Sequence, residues 1–438
     1  MKRYSEYKDS GVEWIGEVPI HWKIMKTSLA YNNIGSGTTP STSNHDYYDE
    51  ESFHWLQTGD LNDGKILTTS KRITNLALRE CNLKLWPKGS VVVAMYGATI
   101  GKVGLLRIQS ATNQACCVMP PRKIICSAYS LYVFLSGRSA LLLSANGGGQ
   151  PNISQDIIKK LRIPIPPLSE QQSIASYLDK KCGEIDKIIT TQQKRIALLE
   201  ELKQTIITHA VTKGLNPNAQ MKDSGVEWIG EVQRHWEVVR LKNIVNIFGR
   251  IGFRGYTIQD LVEEGKGAIT LSPSNMKNGI MDYQKCSYLS WFKYYESPEI
   301  IINNGDILFV KTGSTFGKTC LVKNLPMEAT INPQLVVFKQ LKCDSMYLSF
   351  VLKTEIIQEQ VRLTVGGSTI PTLSQGDIMN YLLCLPPLPE QKAIATYLDK
   401  RCASIDASIQ KANHEIELLQ EYKQSLITEV VTGKRKVC

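Results

Sequence analysis

The sequence predicts an α/β (α+β) protein: two similar mixed α/β domains separated by two long antiparallel coiled-coil helices, forming a pseudo-two-fold internal repeat. Three observations predict it. Residues 174–211 carry Leu178, Cys182, Ile185, Ile189, Gln192, Ile196, Leu199, Lys203, Ile206 and Ala210 at alternating steps of four and three, as a coiled-coil seam requires. A shift of 220 residues gives Leu398, Cys402, Ile405, Ile409, Ala412, Ile416, Leu419, Lys423, Leu426 and Val430 in the same register. The eleven residues Lys8–Val18 (Lys-Asp-Ser-Gly-Val-Glu-Trp-Ile-Gly-Glu-Val) return unchanged as Lys222–Val232, followed by His21-Trp22 and His235-Trp236.

The order of elements follows from these marks. Residues 1–165 form a first variable domain opened by the repeat segment 8–22, and residues 166–215 hold the central helix. Residues 216–385 form a second variable domain opened by 222–236, and residues 386–438 hold the C-terminal helix. Pro166-Pro167 before the central helix and Gly214 after it punctuate both ends. At 1.5 Å per residue the helix over 174–211 is roughly 55 Å long, more than one globular core needs, so the second copy is its expected partner. Two copies are too few for an open solenoid, and a closed arrangement about a pseudo-two-fold axis makes the helices antiparallel. Lys203 and Lys423 interrupt the apolar seam and either open it locally for a partner or extend to solvent.

Within the variable domains, Gly89–Gly97 and Gly305–Gly313 each read as turn, short buried strand, turn. Gln334–Phe338 adds a strand, and residues 129–143 and 346–361 have helical spacing. The glycine-rich runs at 147–151 and 366–371 each precede a Leu/Ile-rich strand that ends in Pro-Pro.

The 438 residues suffice for two or three units with their own cores, and 42% apolar with 21% charged residues describes an ordinary globular protein. No apolar run approaches 18 residues and the first residues are polar, so neither a membrane span nor a signal peptide is expected. The eleven cysteines include no C-x-x-C pair, which points to buried free thiols in a reducing cytoplasm. The net charge is +10, and residues 1–165 alone hold 19 Lys/Arg against 12 Asp/Glu. A polyanion such as nucleic acid fits that imbalance.

Gly97–Lys102 (Gly-Ala-Thr-Ile-Gly-Lys) and Gly313–Thr319 (Gly-Ser-Thr-Phe-Gly-Lys-Thr) look like phosphate loops. They place three residues between the glycines where a P-loop needs four. They are read as glycine-bounded turns after a strand, whose amides, hydroxyls and lysine either serve the turn alone or face DNA. A nucleotide-dependent enzyme built on these Gly-Lys turns is the alternative function. Gly35–Pro40 offers hydroxyls on a loop, and Gly249–Tyr256 interleaves arginines with aromatics, as a DNA-reading loop or as a plain surface turn. The candidate DNA-contacting residues are Thr38, Thr39, Lys71, Arg72, Tyr96, Thr99 and Lys102 in the first domain. In the second they are Arg250, Phe253, Arg254, Tyr256, Lys311, Thr312, Ser314 and Lys318. His21 and His235 are expected to pack beside their tryptophans. No metal spacing, nucleophile elbow or dinucleotide fingerprint appears, so no catalytic, metal or cofactor residue is assigned.

These repeated elements resemble one family. The Gly-Val-Glu-Trp-Ile-Gly openings, Pro-Pro-Leu-Ser-Glu-Gln171 and Pro-Pro-Leu-Pro-Glu-Gln391 all match it. So do the Ile-Ala-x-Tyr-Leu-Asp-Lys runs ending at Lys180 and Lys400, and the Lys-Gln-x-Ile/Leu-Ile-Thr runs ending at Thr208 and Thr428. Together they resemble the specificity subunit of Type I restriction–modification systems, over essentially the whole chain. The resemblance implies two target-recognition domains that read an asymmetric, bipartite sequence in double-stranded DNA. It implies assembly with two modification (methyltransferase) subunits and with ATP-dependent restriction subunits, in phage defence in a bacterial or archaeal cytoplasm. S-adenosylmethionine, ATP and Mg2+ are then expected on partner subunits, with no cofactor or catalytic residue in this chain. One turn of duplex is about 34 Å, so helices roughly 55 Å long would place the two domains one to two turns apart.

Overall fold

The computed structural model describes residues 3–145, 151–277, 279–365 and 372–437, and at Glu50, Glu51 and Phe253 the backbone alone. The glycine-rich runs at 147–151 and 366–371 therefore lie almost wholly outside the described residues. Two compact units partition the chain: residues 1–193 with 413–438, and residues 194–412. Each unit takes the first part of one long helix and the last part of the other.

In the first unit, strands Tyr7–Asp9 and Glu17–Pro19 pair as an antiparallel hairpin, and Lys23–Lys26 pairs with Arg162–Ile165. A four-stranded sheet runs Cys116–Met119, Val91–Ala94, Val103–Leu106, Gly64–Ile66, its last pair parallel. A three-stranded sheet runs Lys71–Ile73, Tyr48–Leu56, Ser110–Thr112. Helix Ser127–Ser136 packs on the central pair of the larger sheet. Val91 to Ala94 are all fully buried, which explains a strand without apolar–polar alternation.

The second unit repeats the hairpin as Met221–Asp223 with Glu231–Gln233, and the strand pair as Glu237–Arg240 with Leu382–Leu385. Its first four-stranded sheet runs Asn246–Gly249, Leu335–Lys339, Ile307–Val310, Thr319–Leu321. A second four-stranded sheet runs Leu261–Val262, Ser287–Ser290, Gly267–Leu271, Ala329–Ile331. The strands expected after Gly89 and Gly305 are present, and the four glycines that bound them have φ between 82° and 105°. The helical spacing at 129–143 and 346–361 resolves into pairs of shorter helices, Ser127–Ser136 with Arg138–Leu143 and Ser345–Val351 with Glu355–Val365.

The long helices span Leu168–Lys213 and Leu388–Val431. Each starts six residues before the heptad pattern does, because polar contacts hold its first turn. All twelve seam residues, Leu178, Ile185, Ile189, Ile196, Leu199, Ile206, Leu398, Ile405, Ile409, Ile416, Leu419 and Leu426, are buried or half-buried. In the first unit Gln192 Nε2 donates to Glu415 Oε2 (3.0 Å) and Lys423 Nζ to Asp186 Oδ1 (2.6 Å). Residue numbers rise on one helix as they fall on the other, so the pair is antiparallel. In the second unit Lys203 Nζ donates to Asp406 Oδ1 (2.6 Å), the same contact shifted by 220. The two lysines therefore neither open the seam nor simply extend to solvent. Each ties its helix to an aspartate of the other.

Each repeat segment grips the start of a long helix. Trp22 is fully buried; its Nε1–H donates to Glu170 Oε2 (2.9 Å), and His21 Nε2 lies 2.7 Å from Glu170 Oε1. Trp236, His235 and Glu390 repeat this at 3.0 and 2.6 Å. Beside each glutamate a buried glutamine bridges backbone: Gln171 to Pro166 O, Ile124 O and the Cys126 N–H, and Gln391 to Pro386 O and the Asp344 N–H. Each unit also caps the end of the other helix. Tyr129 and Tyr347 place their hydroxyls 3.4 Å from the last-turn carbonyls of Val431 and Val211. Gly433 and Gly214, at φ +77° and +75°, then end the helices under Trp22 and Trp236, where a Cβ would come within 3.1 Å of the indole.

Glu170→Ala leaves a buried indole N–H without an acceptor and is expected to cost about 1–3 kcal/mol in urea unfolding. Glu390→Ala should cost less, since its side chain is 39% exposed against 19% for Glu170. Lys423→Ala, whose aspartate partner is half exposed, should cost about 0.2–1 kcal/mol. Equal losses in all three would show that the glutamate clamp is not what holds the helix start.

Candidate nucleic-acid interface

In the first unit, Lys71 and Arg72 sit on the edge strand Lys71–Ile73 and line a concavity of about 520 Å³ with Thr42, His45, Tyr48 and Thr69. Lys71 is exposed. Arg72 is half-buried and lies 3.4 Å from Ser52 O. His54 faces the same strand, its Nδ1 3.0 Å from Thr69 Oγ1; burial, with Arg72 close by, holds its pKa below the usual histidine value. Two cations, four hydroxyls and the Asp49 carboxylate line this concavity, a polar surface that a nucleic acid could meet. His45, His54 and Thr69 were not among the sequence candidates, because the strand pairing that gathers them has no local signal.

Thr38 and Thr39 are exposed; Thr39 Oγ1 donates to Gln114 Oε1, and the Thr38 carbonyl accepts from Trp55 Nε1 (3.3 Å). Tyr96, Thr99 and Lys102 lie on the turn between strands Val91–Ala94 and Val103–Leu106, with Lys102 exposed and Tyr96 packed against the core. This turn is not a phosphate loop. Three of its amides are bonded within the hairpin, Ile100 N–H on Gly97 O, Gly101 N–H on Ala94 O and Lys102 N–H on Thr99 O, and a strand follows where a P-loop would open a helix. The second unit repeats this, with Gly317 N–H on Val310 O and Lys318 N–H on Thr315 O. Lys318 Nζ is itself bonded to Met276 O, and Ser314 and Thr315 are exposed at the tip. Lys311 and Thr312 are half-buried behind it, where Thr312 bridges to Thr372.

Arg250 corrects the sequence reading. It is 5% exposed, and its guanidinium donates to Ile331 O (3.2 Å), Thr330 Oγ1 (3.0 Å) and Arg254 O (3.3 Å), with the Tyr256 ring 5.2 Å away. A cation taken out of water must find acceptors, and these bind it inward, so it braces the loop rather than facing a base. Arg254 reaches Glu299 at 3.4 Å, and the Phe253 side chain lies outside the described residues. Among the described residues no group of three His, Cys, Asp or Glu side chains converges as a metal site would. The ten described cysteines are free, and burial pushes the Cys117 thiol up to about 12. No described helix is long and apolar enough to cross a membrane.

Residues 32–201 and 233–418 match the model of the Type I restriction modification DNA specificity domain, so two copies cover most of the chain. The MjaVIII specificity subunit of Methanocaldococcus jannaschii is 26% identical over 430 residues, covering 96% of this chain and 94% of that one. The EcoKI specificity subunit of Escherichia coli is 22% identical, covering 96% and 90%. Among solved structures, a chain from a type I R-M system aligns with a TM-score of 0.70 at 16% identity, over 94% of this chain and 98% of that one. The HsdS subunit from Thermoanaerobacter tengcongensis aligns at 0.50 and 17%, over 95% and 98%. These two likenesses concern the fold.

Arg250→Ala is expected to lower the unfolding free energy by about 1–3 kcal/mol, because it orphans buried acceptors. Lys71→Ala should change stability by no more than about 0.5 kcal/mol. In salt titrations of duplex binding Lys71→Ala should lower the slope by about 1, the signature of one lost phosphate contact.

Proposed function

The chain belongs to the family of Type I restriction–modification specificity subunits, whose role is DNA target recognition, and on that premise we propose that it reads an asymmetric, bipartite target. Each variable domain (residues 1–165 and 216–385) contacts one part of the sequence, and the helical segments 166–215 and 386–438 set the distance between the parts. The observation that carries this reading is the pairing of identical frames with unlike readers. Trp-Glu clamp, glutamine bridge, tyrosine cap and Lys–Asp tie recur in both units, while the sheets and loops beside them differ. A repeated frame with different loops is suited to two different half-sites. Thr38, Thr39, Lys71, Arg72, Tyr96, Thr99 and Lys102, with Arg254, Tyr256, Lys311, Thr312, Ser314 and Lys318, remain the proposed contacts.

The frame also suits two copies of one partner. Leu198 and Leu202 in one unit are 65% and 45% exposed, and Leu418 and Tyr422, 220 residues on, are each 51% exposed in the other. Equivalent apolar pairs at helical spacing are what two modification subunits need for like docking. In this reading the chain is not catalytic. S-adenosylmethionine belongs to the modification subunits and ATP with Mg2+ to restriction subunits, in the cytoplasm of a bacterial or archaeal cell. The hairpin geometry of the Gly-Lys turns counts against the alternative of a nucleotide-dependent enzyme built on them.

Exchanging residues 20–165 for another recognition domain should alter one half of the methylated sequence and leave the other intact; a change in both halves refutes the division of labour. Inserting one heptad into both long helices should widen the gap by about 10 Å, roughly three base pairs, in the same methylation assay. An unaltered gap would mean that the helices do not set it.

A further inference from the structure

A cavity of about 780 Å³ in the second unit lies between the long-helix segments and the sheet that carries Gly317–Leu321. Four lysines and two aspartates line it. Lys203 is held by Asp406 at 2.6 Å, Lys323 lies 3.6 Å from Asp399, and Lys318 is bonded to Met276 O. Lys353 has no carboxylate or hydrogen-bond acceptor among the described residues, and its ammonium lies over the Phe350 ring, 5.8 Å from the centroid. It is half-buried, its ammonium over the backbone of Gly279, where a Cβ would lie 3.1 Å from Nζ. Burial holds its pKa below the usual lysine value, with Lys203 and Lys323 acting the same way and Cys320 and Cys402 opposing.

The first unit has different side chains at the corresponding positions. Tyr129 and Tyr347 make the same pair of carbonyl contacts, and counting from them Leu135 corresponds to Lys353 and Tyr132 to Phe350, although Leu135 lies within helix Ser127–Ser136 and Lys353 in the turn after helix Ser345–Val351. There Tyr132 Oη donates to Asp179 (2.6 Å), Lys65 Nζ joins the same carboxylate (2.8 Å), and Leu135 is 6% exposed. The second unit puts a cation at the apolar position, removes the hydroxyl that bound the aspartate, and leaves the space open. A partly desolvated ammonium among other cations is unfavourable until an anion joins it. Ile280, Met281, Met346 and Phe350 supply an apolar wall beside it, and the volume lies in the range of small-molecule sites.

We propose that this cavity binds a small phosphate-bearing ligand of nucleotide size, with its phosphate on Lys353 and its apolar part against the methionine-lined wall. Of the proposed DNA contacts in the second unit, Lys318 is the one that also lines this cavity. Calorimetric titration of the full chain with ATP, and separately with inorganic pyrophosphate, in low-salt buffer without magnesium tests it. Saturable binding is expected, weakened about 30-fold or more by Lys353→Leu and retained by Lys353→Arg. Lys353→Leu restores the residue type of the first unit and should raise the melting temperature, which separates lost binding from lost folding. Absence of saturable binding at millimolar ligand, or binding that Lys353→Leu leaves unchanged, overturns the site. Duplex DNA binding that depends on Lys353 while neither free phosphate compound binds also overturns it, by making the anion the DNA backbone.

Discussion

The hydrogen bonds that Glu170 and Glu390 accept from Trp22 and Trp236 are the contacts on which the rest of each unit depends. A tryptophan buried to 0% exposure cannot leave its N–H unpaired without a penalty, and the acceptor lies in the first turn of a long helix. The bond therefore fixes where the helix begins. It also fixes the repeat segment against that helix, and with it the glycine that ends the antiparallel partner, since Gly433 and Gly214 sit against the same two indoles. One buried donor thus sets the start of one helix and the end of the other. Everything the unit carries outward is referred to that joint.

Much of this frame was legible in the sequence. Seam positions must alternate by four and three to stay on one face, so Leu178, Ile185 and Leu398 announced themselves. The helix starts lie outside that apolar period and were marked only by the Pro-Pro pairs, because Glu170 and Gln171 hold the first turn by hydrogen bonds. Lys203 and Lys423 looked like flaws in the seam. Their partners, Asp406 and Asp186, lie on the opposite helix and outside the apolar register, so neither helix read alone could reveal the tie. The candidate surface was less legible. Arg250 carries no sign of its burial, which comes from acceptors 80 and 81 residues away at Thr330 and Ile331. His54 and Thr69 meet only because strand Tyr48–Leu56 pairs with Lys71–Ile73. Likewise the Gly-Lys turns resembled phosphate loops because a tight hairpin and a phosphate cradle both need glycines at positive φ. What distinguishes them is the strand, Val103–Leu106 or Thr319–Leu321, that follows where a phosphate loop would open a helix.

The two units diverge where the repeat does not constrain them. Both keep a parallel strand pair at the same place, His54 to Leu56 with Ser110 to Thr112 and Ile269 to Leu271 with Ala329 to Ile331. The second has four strands in that sheet against three in the first, and it holds a lysine-lined cavity beside its long-helix segments. Conserving the clamp while varying the sheets keeps the geometry of the frame and frees the loops, which are tolerant of change because they carry little of the core.

Mapping modified bases across the genome of cells that carry this chain together with its modification partners tests the central claim most directly. Two unlike readers on a repeated frame predict one methylated motif with two different specific halves, separated by a run of fixed length in which every base is tolerated. A continuous motif, a palindromic pair of identical halves, or a gap of variable length would contradict the account.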